Sequence, residues 1–244
     1  MKKSRLSQQS TLLVALTSAQ GLLAPYAFAV SSDYVISSPQ INVQIPAEYK
    51  TVHVTNEGSA TGDGAAGLDV SQDASLTSLV NDGTISAVNG ELGNISLHAL
   101  QNQGTIDTLN NTGSINVSGN GGNYTSSAIN LTSTSKVSTL TNSGTIAGPE
   151  SATYYSNTNY TQFGGGIVNS GILDTLKNAS SGIITGQNGI NNSGTIDLLE
   201  NAGNIKSIIT TNNNINNNGA IFNSGTINTL HNTGAISNDN KQHL

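Results

Sequence analysis

Four histidines, His53, His98, His231 and His243, are the only side chains in this chain with an ordinary titration near neutral pH, and they lie in unrelated sequence surroundings. A hydrolytic site would need one of them within reach of a serine or threonine, with a third group to orient the base. No Gly-x-Ser-x-Gly turn presents such a serine. Three carboxylates recur at one spacing, Asp107, Asp174 and Asp197, and stacked carboxylates are how a protein holds calcium. The Gly-Gly-x-Gly-x-Asp pattern of calcium-binding coils is missing, so these residues read as a charged, solvated face. No convergent cluster of acids marks a glycosidase. The residues point to no catalytic group, no metal and no cofactor.

The remaining candidate is a contact surface. Tyr154, Tyr155, Tyr160 and Phe163 crowd into the segment from Ala147 to Val168 and make up half of the eight aromatic residues beyond residue 30. Clustered tyrosine is typical of binding surfaces, and loops on a rigid scaffold are where binding concentrates. The competing reading is that these rings fold back over a core edge.

The scaffold is legible as a repeat. One 14-residue pattern starts at residues 72, 102, 133, 169, 192 and 223, as in NQGTIDTLNNTGSI from Asn102 and NSGTINTLHNTGAI from Asn223. Its fifth position is Leu76, Ile106, Val137, Leu173, Ile196 and Ile227, and its eighth is always Leu. Its tenth is Asn81, Asn111, Asn142, Asn178, Asn201 and Asn232, followed by glycine (Gly83 to Gly234) and by isoleucine (Ile85 to Ile236). The fourth copy carries two extra residues between Asn178 and Ile184. Recurrent Gly and Asn exclude helical repeats, while short β-branched runs bounded by those residues read as strand and turn.

Fixed-period self-similarity of this length means a solenoid. The copies are spaced 30, 31, 36, 23 and 31 residues apart, so the shortest complete coil has 23 residues and the rest carry insertions. Such a coil fits a parallel β-helix with three short faces, with six repeats making a core roughly 30 Å long at the usual strand spacing. Positions five and eight would face opposite sides of a straight strand, so the pattern predicts a corner between them. Asn and Gly are expected to supply positive φ at the corners, and the six tenth-position asparagines to stack as an amide ladder. Leucine-rich repeats share Leu-x-x-Leu-x-Asn, but their further leucine and helical return segment are absent.

Composition adds the compartment. Lys2, Lys3 and Arg5 precede an apolar run from Leu12 to Leu23 and end at Ala27-Phe28-Ala29, the signature of a cleaved secretory signal over residues 1–29. Its removal leaves five basic residues against fourteen acidic ones, a net charge of −9 that repels nucleic acid. No later segment is apolar enough to span a bilayer, and without cysteine stability must come from burial and backbone pairing. Only 9% of residues are charged, a composition compatible with disorder were the aliphatics not held in fixed register.

The Asn-Ser-Gly-Thr-Ile copies (Asn142 to Ile146, Asn192 to Ile196, Asn223 to Ile227), with lead-ins such as Gly219-Ala220-Ile221-Phe222, resemble the passenger repeats of bacterial autotransporters over roughly residues 64–236. The resemblance implies an all-β, right-handed parallel β-helix of about six to eight coils. It also implies transport across the outer membrane by a C-terminal β-barrel, and a role in adhesion, self-association or as a stalk. No barrel lies within these 244 residues. The organisation expected is a signal peptide (1–29), N-terminal cap strands (30–63), β-helix repeats (64–236) and an open end of a truncated passenger (237–244). Expected partners are a host or neighbouring-cell surface or a second copy of the chain, at the cell surface or outside the cell if a barrel follows and in the periplasm otherwise. The alternatives are the stalk of a longer chain whose esterase or protease domain lies beyond Leu244, or a periplasmic fragment.

Overall fold

The computed structural model describes residues 32–88, 96–118, 126–149, 164–209 and 219–240. The chain divides into two units, Met1–Val30 and Ser31–Leu244, and every described residue belongs to the second. The signal-peptide segment, the aromatic cluster and His243 therefore lie outside the described residues.

The described chain is a parallel β-helix. Coil 1 holds β1 (Asp33–Ile36), β2 (Pro39–Ile41) and β3 (Val43–Ile45), and coil 2 holds β4 (Thr51–Val54), β5 (Ser59–Asp63) and β6 (Leu68–Val70). Coil 3 holds β7 (Ser75–Asn81), β8 (Thr84–Val88) and β9 (His98–Asn102), and coil 4 holds β10 (Thr105–Asn111), β11 (Ser114–Ser118) and β12 (Ser127–Leu131). Coil 5 follows with β13 (Lys136–Asn142), β14 (Thr145–Ala147) and β15 (Gly165–Asn169), then coil 6 with β16 (Ile172–Asn178), β17 (Ile183–Gly186) and β18 (Asn188–Asn192). Coil 7 is β19 (Thr195–Asn201), β20 (Asn204–Ile209) and β21 (Ile221–Asn223), and coil 8 contributes β22 (Thr226–Asn232) and β23 (Ala235–Asn240). First strands stack into an eight-stranded sheet A, second strands into an eight-stranded sheet B and third strands into a seven-stranded sheet C. All pairings are parallel; between coils 4 and 5, for example, Ile106 pairs with Val137 and Leu109 with Leu140.

The 23 residues from Ile172 to Asn192 and its two-residue link make the shortest repeat coil because its sheet B and sheet C strands are separated by Gln187 alone. Residues 30–63, expected as cap strands, contain β1 to β5, each of which joins one of the three sheets. Residues 237–240, assigned to the open end, continue β23.

The core is four aliphatic columns running along the stack. Positions five and eight supply Leu76 to Ile196 and Leu79 to Leu199, position fourteen supplies Ile85 to Ile205, and sheet C adds Leu68, Leu100, Ile129, Ile167 and Ile190, all fully buried. Burying such side chains stabilises by about 1.5–3 kcal/mol each. In the sixth copy Leu230 is 49% exposed, since it lies on the last strand of sheet A.

Positions five and eight differ from the expected corner. Leu76 and Leu79 lie in one strand, with two outward residues, Thr77 and Ser78, between them. Pairing passes over the first of those two in coil after coil, going from Ile106↔Val137 to Thr108↔Thr139. The strand bends at that point, which turns both aliphatics inward while sheet A stays hydrogen-bonded through the bend.

Candidate functional site

Each coil has three corners, and what occupies them decides where the molecule can vary. Between sheets A and B the chain turns through an Asn-x-Gly unit. The tenth-position asparagines form a continuous ladder: each Nδ2 donates to the next Oδ1, from Asn81 to Asn111 (2.7 Å), to Asn142 (2.8 Å), to Asn178 (2.9 Å), to Asn201 (2.8 Å) and to Asn232 (2.7 Å). Each of the five donors also reaches a backbone carbonyl of the next coil, such as Thr145 from Asn111 (3.2 Å) and Ala235 from Asn201 (3.2 Å). The ladder is directional, so its first member has no donor below it. Val54 occupies the equivalent place in coil 2, and the buried Asn81 Oδ1 is unpartnered.

A second ladder runs between sheets C and A through the first repeat position. Asn169 Nδ2 donates to Asn192 Oδ1 and Asn192 Nδ2 to Asn223 Oδ1, each at 2.7 Å. Asn102 belongs to the same column but Leu131 separates it from Asn169, and its amide instead closes on Gly104 of its own coil. The signal for this ladder was present in the repeat as Asn102, Asn169, Asn192 and Asn223.

The glycines at these two corners do not serve the expected purpose. Among the described residues, positive φ occurs only at Asn42 (51°) and Gly64 (67°), both between sheets B and C. Glycine is required instead by close approach. The Gly83 carbonyl accepts a hydrogen bond from Ser114 N (2.9 Å), which draws that oxygen onto the place where a Cβ of Gly113 would stand. The same holds at Gly225, whose Cβ would meet the Gly194 carbonyl oxygen.

The third corner, from sheet B to sheet C, carries most of the length variation; the C-to-A corner varies less, from two residues at 103–104 to four at 132–135 and five at 46–50. β2 and β3 are joined by Asn42 alone, β5 and β6 by 64–67, β8 and β9 by 89–97, β11 and β12 by 119–126, β14 and β15 by 148–164, β17 and β18 by Gln187, and β20 and β21 by 210–220. The segment holding Tyr154, Tyr155, Tyr160 and Phe163 is the longest of these connections. The four rings themselves lie outside the described residues, but the roots of their segment are placed. Gly148 N donates to Thr185 O (2.8 Å) and Gln187 N to Pro149 O (2.8 Å).

Titratable groups are dispersed. His53 Nε2 lies 2.8 Å from Asp82 Oδ2, and Thr112 donates to Asp82 Oδ1 at 2.6 Å. The Thr112 hydroxyl first, and His53 second, hold the Asp82 carboxyl below its ordinary range. Thr112 bonds the carboxylate, not the imidazole, so the trio lacks the nucleophile-to-base contact of a hydrolytic site. His98 is the first residue of β9, 2.9 Å from the buried Ser127 hydroxyl. Burial pushes its imidazole down to about 4, against the opposing pull of Asp69.

His231 is exposed and stacks after Lys177 and Glu200, whose side chains pair at 3.4 Å. Asp174 pairs with Lys136 (3.4 Å) and Asp197 accepts from Asn228 (2.8 Å), while Asp107 is exposed two coils earlier. Among the described residues no three His, Cys, Asp or Glu side chains are grouped to hold a metal ion, and no helix is long and apolar enough to cross a membrane. Comparison with known families, curated proteins and solved structures finds no match.

Proposed function

We propose that this chain is a surface-directed, non-enzymatic passenger segment whose B-to-C corner is its contact edge, binding another cell's surface or a second copy of itself. The observation that carries this reading is the placement of the insertions: coils 3, 4, 5 and 7 all send their extra residues out between sheets B and C. Successive coils are about 4.8 Å apart, so these segments leave one edge of a rigid stack in close succession. In solenoids, insertions that share one face are the usual place for binding. Tyrosine enrichment in the longest insertion fits the same use. Export, and presentation by a barrel outside these residues, follow from the signal-like N-terminus and the passenger resemblance. A stalk is the second reading, favoured by the unbroken amide ladder from coil 3 to coil 8, which makes a stiff spacer.

The test uses beads coated with the purified chain, scored for clumping with one another and for retention on cultured epithelial cells. The comparison is a chain in which 150–163 is excised. Its roots stand side by side, a Cβ on Gly164 lying 2.7 Å from Pro149 Cγ. Loss of clumping or retention supports a contact edge. Unchanged behaviour of both, with 89–95, 119–125 and 210–218 also excised, leaves the stalk.

A further inference from the structure

Gln187 is the whole B-to-C corner of coil 6, where coils 3, 4, 5 and 7 place insertions. It stands directly on the roots of the longest insertion. Its backbone N–H donates to Pro149 O (2.8 Å), and its side-chain Oε1 accepts from Gly164 N (3.0 Å). The next residue completes the grip, Asn188 N donating to Gly164 O (3.1 Å). Coil 7 pins the corner from the other side, with the Ser207 hydroxyl donating to Gln187 O at 2.5 Å. Gln187, Asn188 and Ser207 are all buried. A Cβ on Gly186 would lie 2.7 Å from Gly166 N, so the two coils touch with no slack at this point.

We propose that Gln187 is the positioning residue for the contact edge: it fixes both ends of the segment 150–163 relative to the stack, and coil 6 forgoes an insertion so that it can. This rests on the reading of that corner as the contact edge. Pro149 and Gly164, both held by one buried residue, are set relative to the stack before any partner arrives, which is how preorganisation raises affinity. An insertion in coil 6 would carry the backbone at 187 away from Pro149 and Gly164 and release both.

The experiment separates the clamp from general packing. Gln187→Met keeps the size and the backbone bond to Pro149 but removes the acceptor for Gly164 N–H. Gln187→Glu keeps an acceptor oxygen, even when protonated. Amide exchange read by NMR on the full chain should speed about ten-fold at Gly164 in Gln187→Met, the loss expected for an orphaned buried N–H. It should stay within about three-fold of the parent in Gln187→Glu, with the amides of β16 and β19 unchanged in both. Ser207→Ala, which frees only the Gln187 carbonyl, is the milder probe and should speed Gly164 by about three-fold.

Parent-like exchange at Gly164 in Gln187→Met, or equal loosening throughout β16 and β19, overturns the clamp. Bead retention should fall in Gln187→Met and be restored in Gln187→Glu. Retention that survives excision of 150–163 sinks the contact role of that insertion instead, and leaves the exchange result to decide the clamp on its own.

Discussion

Asn142 is the most informative single position for what holds the coils together. It is fully buried in the middle of the ladder. Its Oδ1 accepts from Asn111 Nδ2 (2.8 Å), and its Nδ2 donates to Asn178 Oδ1 (2.9 Å) and Ile183 O (3.2 Å). Asn142→Ala affects its neighbours unequally. Asn111 Nδ2 keeps the Thr145 and Gly113 carbonyls, so it loses only a net hydrogen bond, about 1 kcal/mol. Asn178 Oδ1 is left buried without a ladder donor, which costs about 1–3 kcal/mol. With the bond to Ile183 O, about 1 kcal/mol more, the total is about 3–5 kcal/mol, before any cavity term. Asn232→Ala, at the exposed end of the ladder, removes one acceptor for Asn201 Nδ2, which keeps two carbonyls, and should cost under about 1 kcal/mol. Urea unfolding followed by circular dichroism compares the two variants, with native-state exchange of the sheet A amides as the local readout because repeat arrays can unfold in parts. Equal costs for Asn142→Ala and Asn232→Ala, or a cost below about 1 kcal/mol at Asn142, would refute the claim that stacked amides stabilise this corner.

Three further outcomes follow from the same geometry. Gly113→Ala should cost at least about 2 kcal/mol in thermal or urea unfolding because its methyl lands on the Gly83 carbonyl oxygen, whereas Gly219→Ala, whose nearest neighbour would be 3.2 Å away, should stay within about 1 kcal/mol. His98 has a folded pKa of about 4, below the unfolded value, so the unfolded chain binds more protons between those limits; stability should fall by up to about 3 kcal/mol as pH drops from about 6.5 to 4, and urea midpoints of His98→Gln should lack that loss. Leu131→Asn inserts an amide between Asn102 and Asn169, so its urea unfolding should show a smaller loss, by about 1–2 kcal/mol, than Ile129→Asn in the same strand.

The repeat made the fold legible because a solenoid writes its core in the sequence once per coil. Leu76 to Ile196 and Ile85 to Ile205 are recognisable as inward positions before any coordinate is known, since no solvated face needs an aliphatic at fixed register. The bend within sheet A was not legible: an i, i+3 spacing of inward residues is satisfied equally by a corner or by a bent strand, and only the backbone pairing separates them. The reason for glycine was equally hidden. Gly113 in a sequence signals freedom of φ, while its actual constraint is the Gly83 carbonyl of the coil before it, a contact with no local trace. Coils 1 and 2 escaped the repeat because Ile36 and Val54 stand where later coils place asparagine, which erases the signature while keeping the inward position. At the candidate site, the insertions showed as irregular spacing, but their convergence on one corner depends on which sheet each flanking strand joins. Gln187 was invisible for a plainer reason: a one-residue corner looks like an absence until the roots of its neighbour are seen to rest on it.

Why the insertions collect at the B-to-C corner follows from the chemistry of the other two. At the A-to-B corner from coil 3 to coil 8 and at the C-to-A corner from coil 5 to coil 7, amide ladders tie each coil to the next at hydrogen-bond distance, so an inserted segment would have to part donors from acceptors in the interior. Coil 6 tests this argument, because 179–182 places its two extra residues in the A-to-B corner. They come after the ladder residue: Asn178 still accepts from Asn142 at 2.9 Å and donates to Asn201 at 2.8 Å, and Gly182 still offers its carbonyl to Asn178 Nδ2 at 3.2 Å. The extra chain in coil 6 therefore leaves both the asparagine and the glycine in place, whereas the longer corners 55–58 of coil 2 and 132–135 of coil 4 fall where Val54 and Leu131 replace the ladder residue. The B-to-C corner has no amide ladder through the stack, only separate contacts such as His98 with Ser127 and Gln187 with Gly164, so coils other than the sixth can lengthen there without parting a ladder. A chain with these constraints lengthens most easily along one edge, and the seven residues 119–125 moved into coil 4's 112–113 corner should unfold the stack, whereas seven further residues added within 119–125 should be harmless.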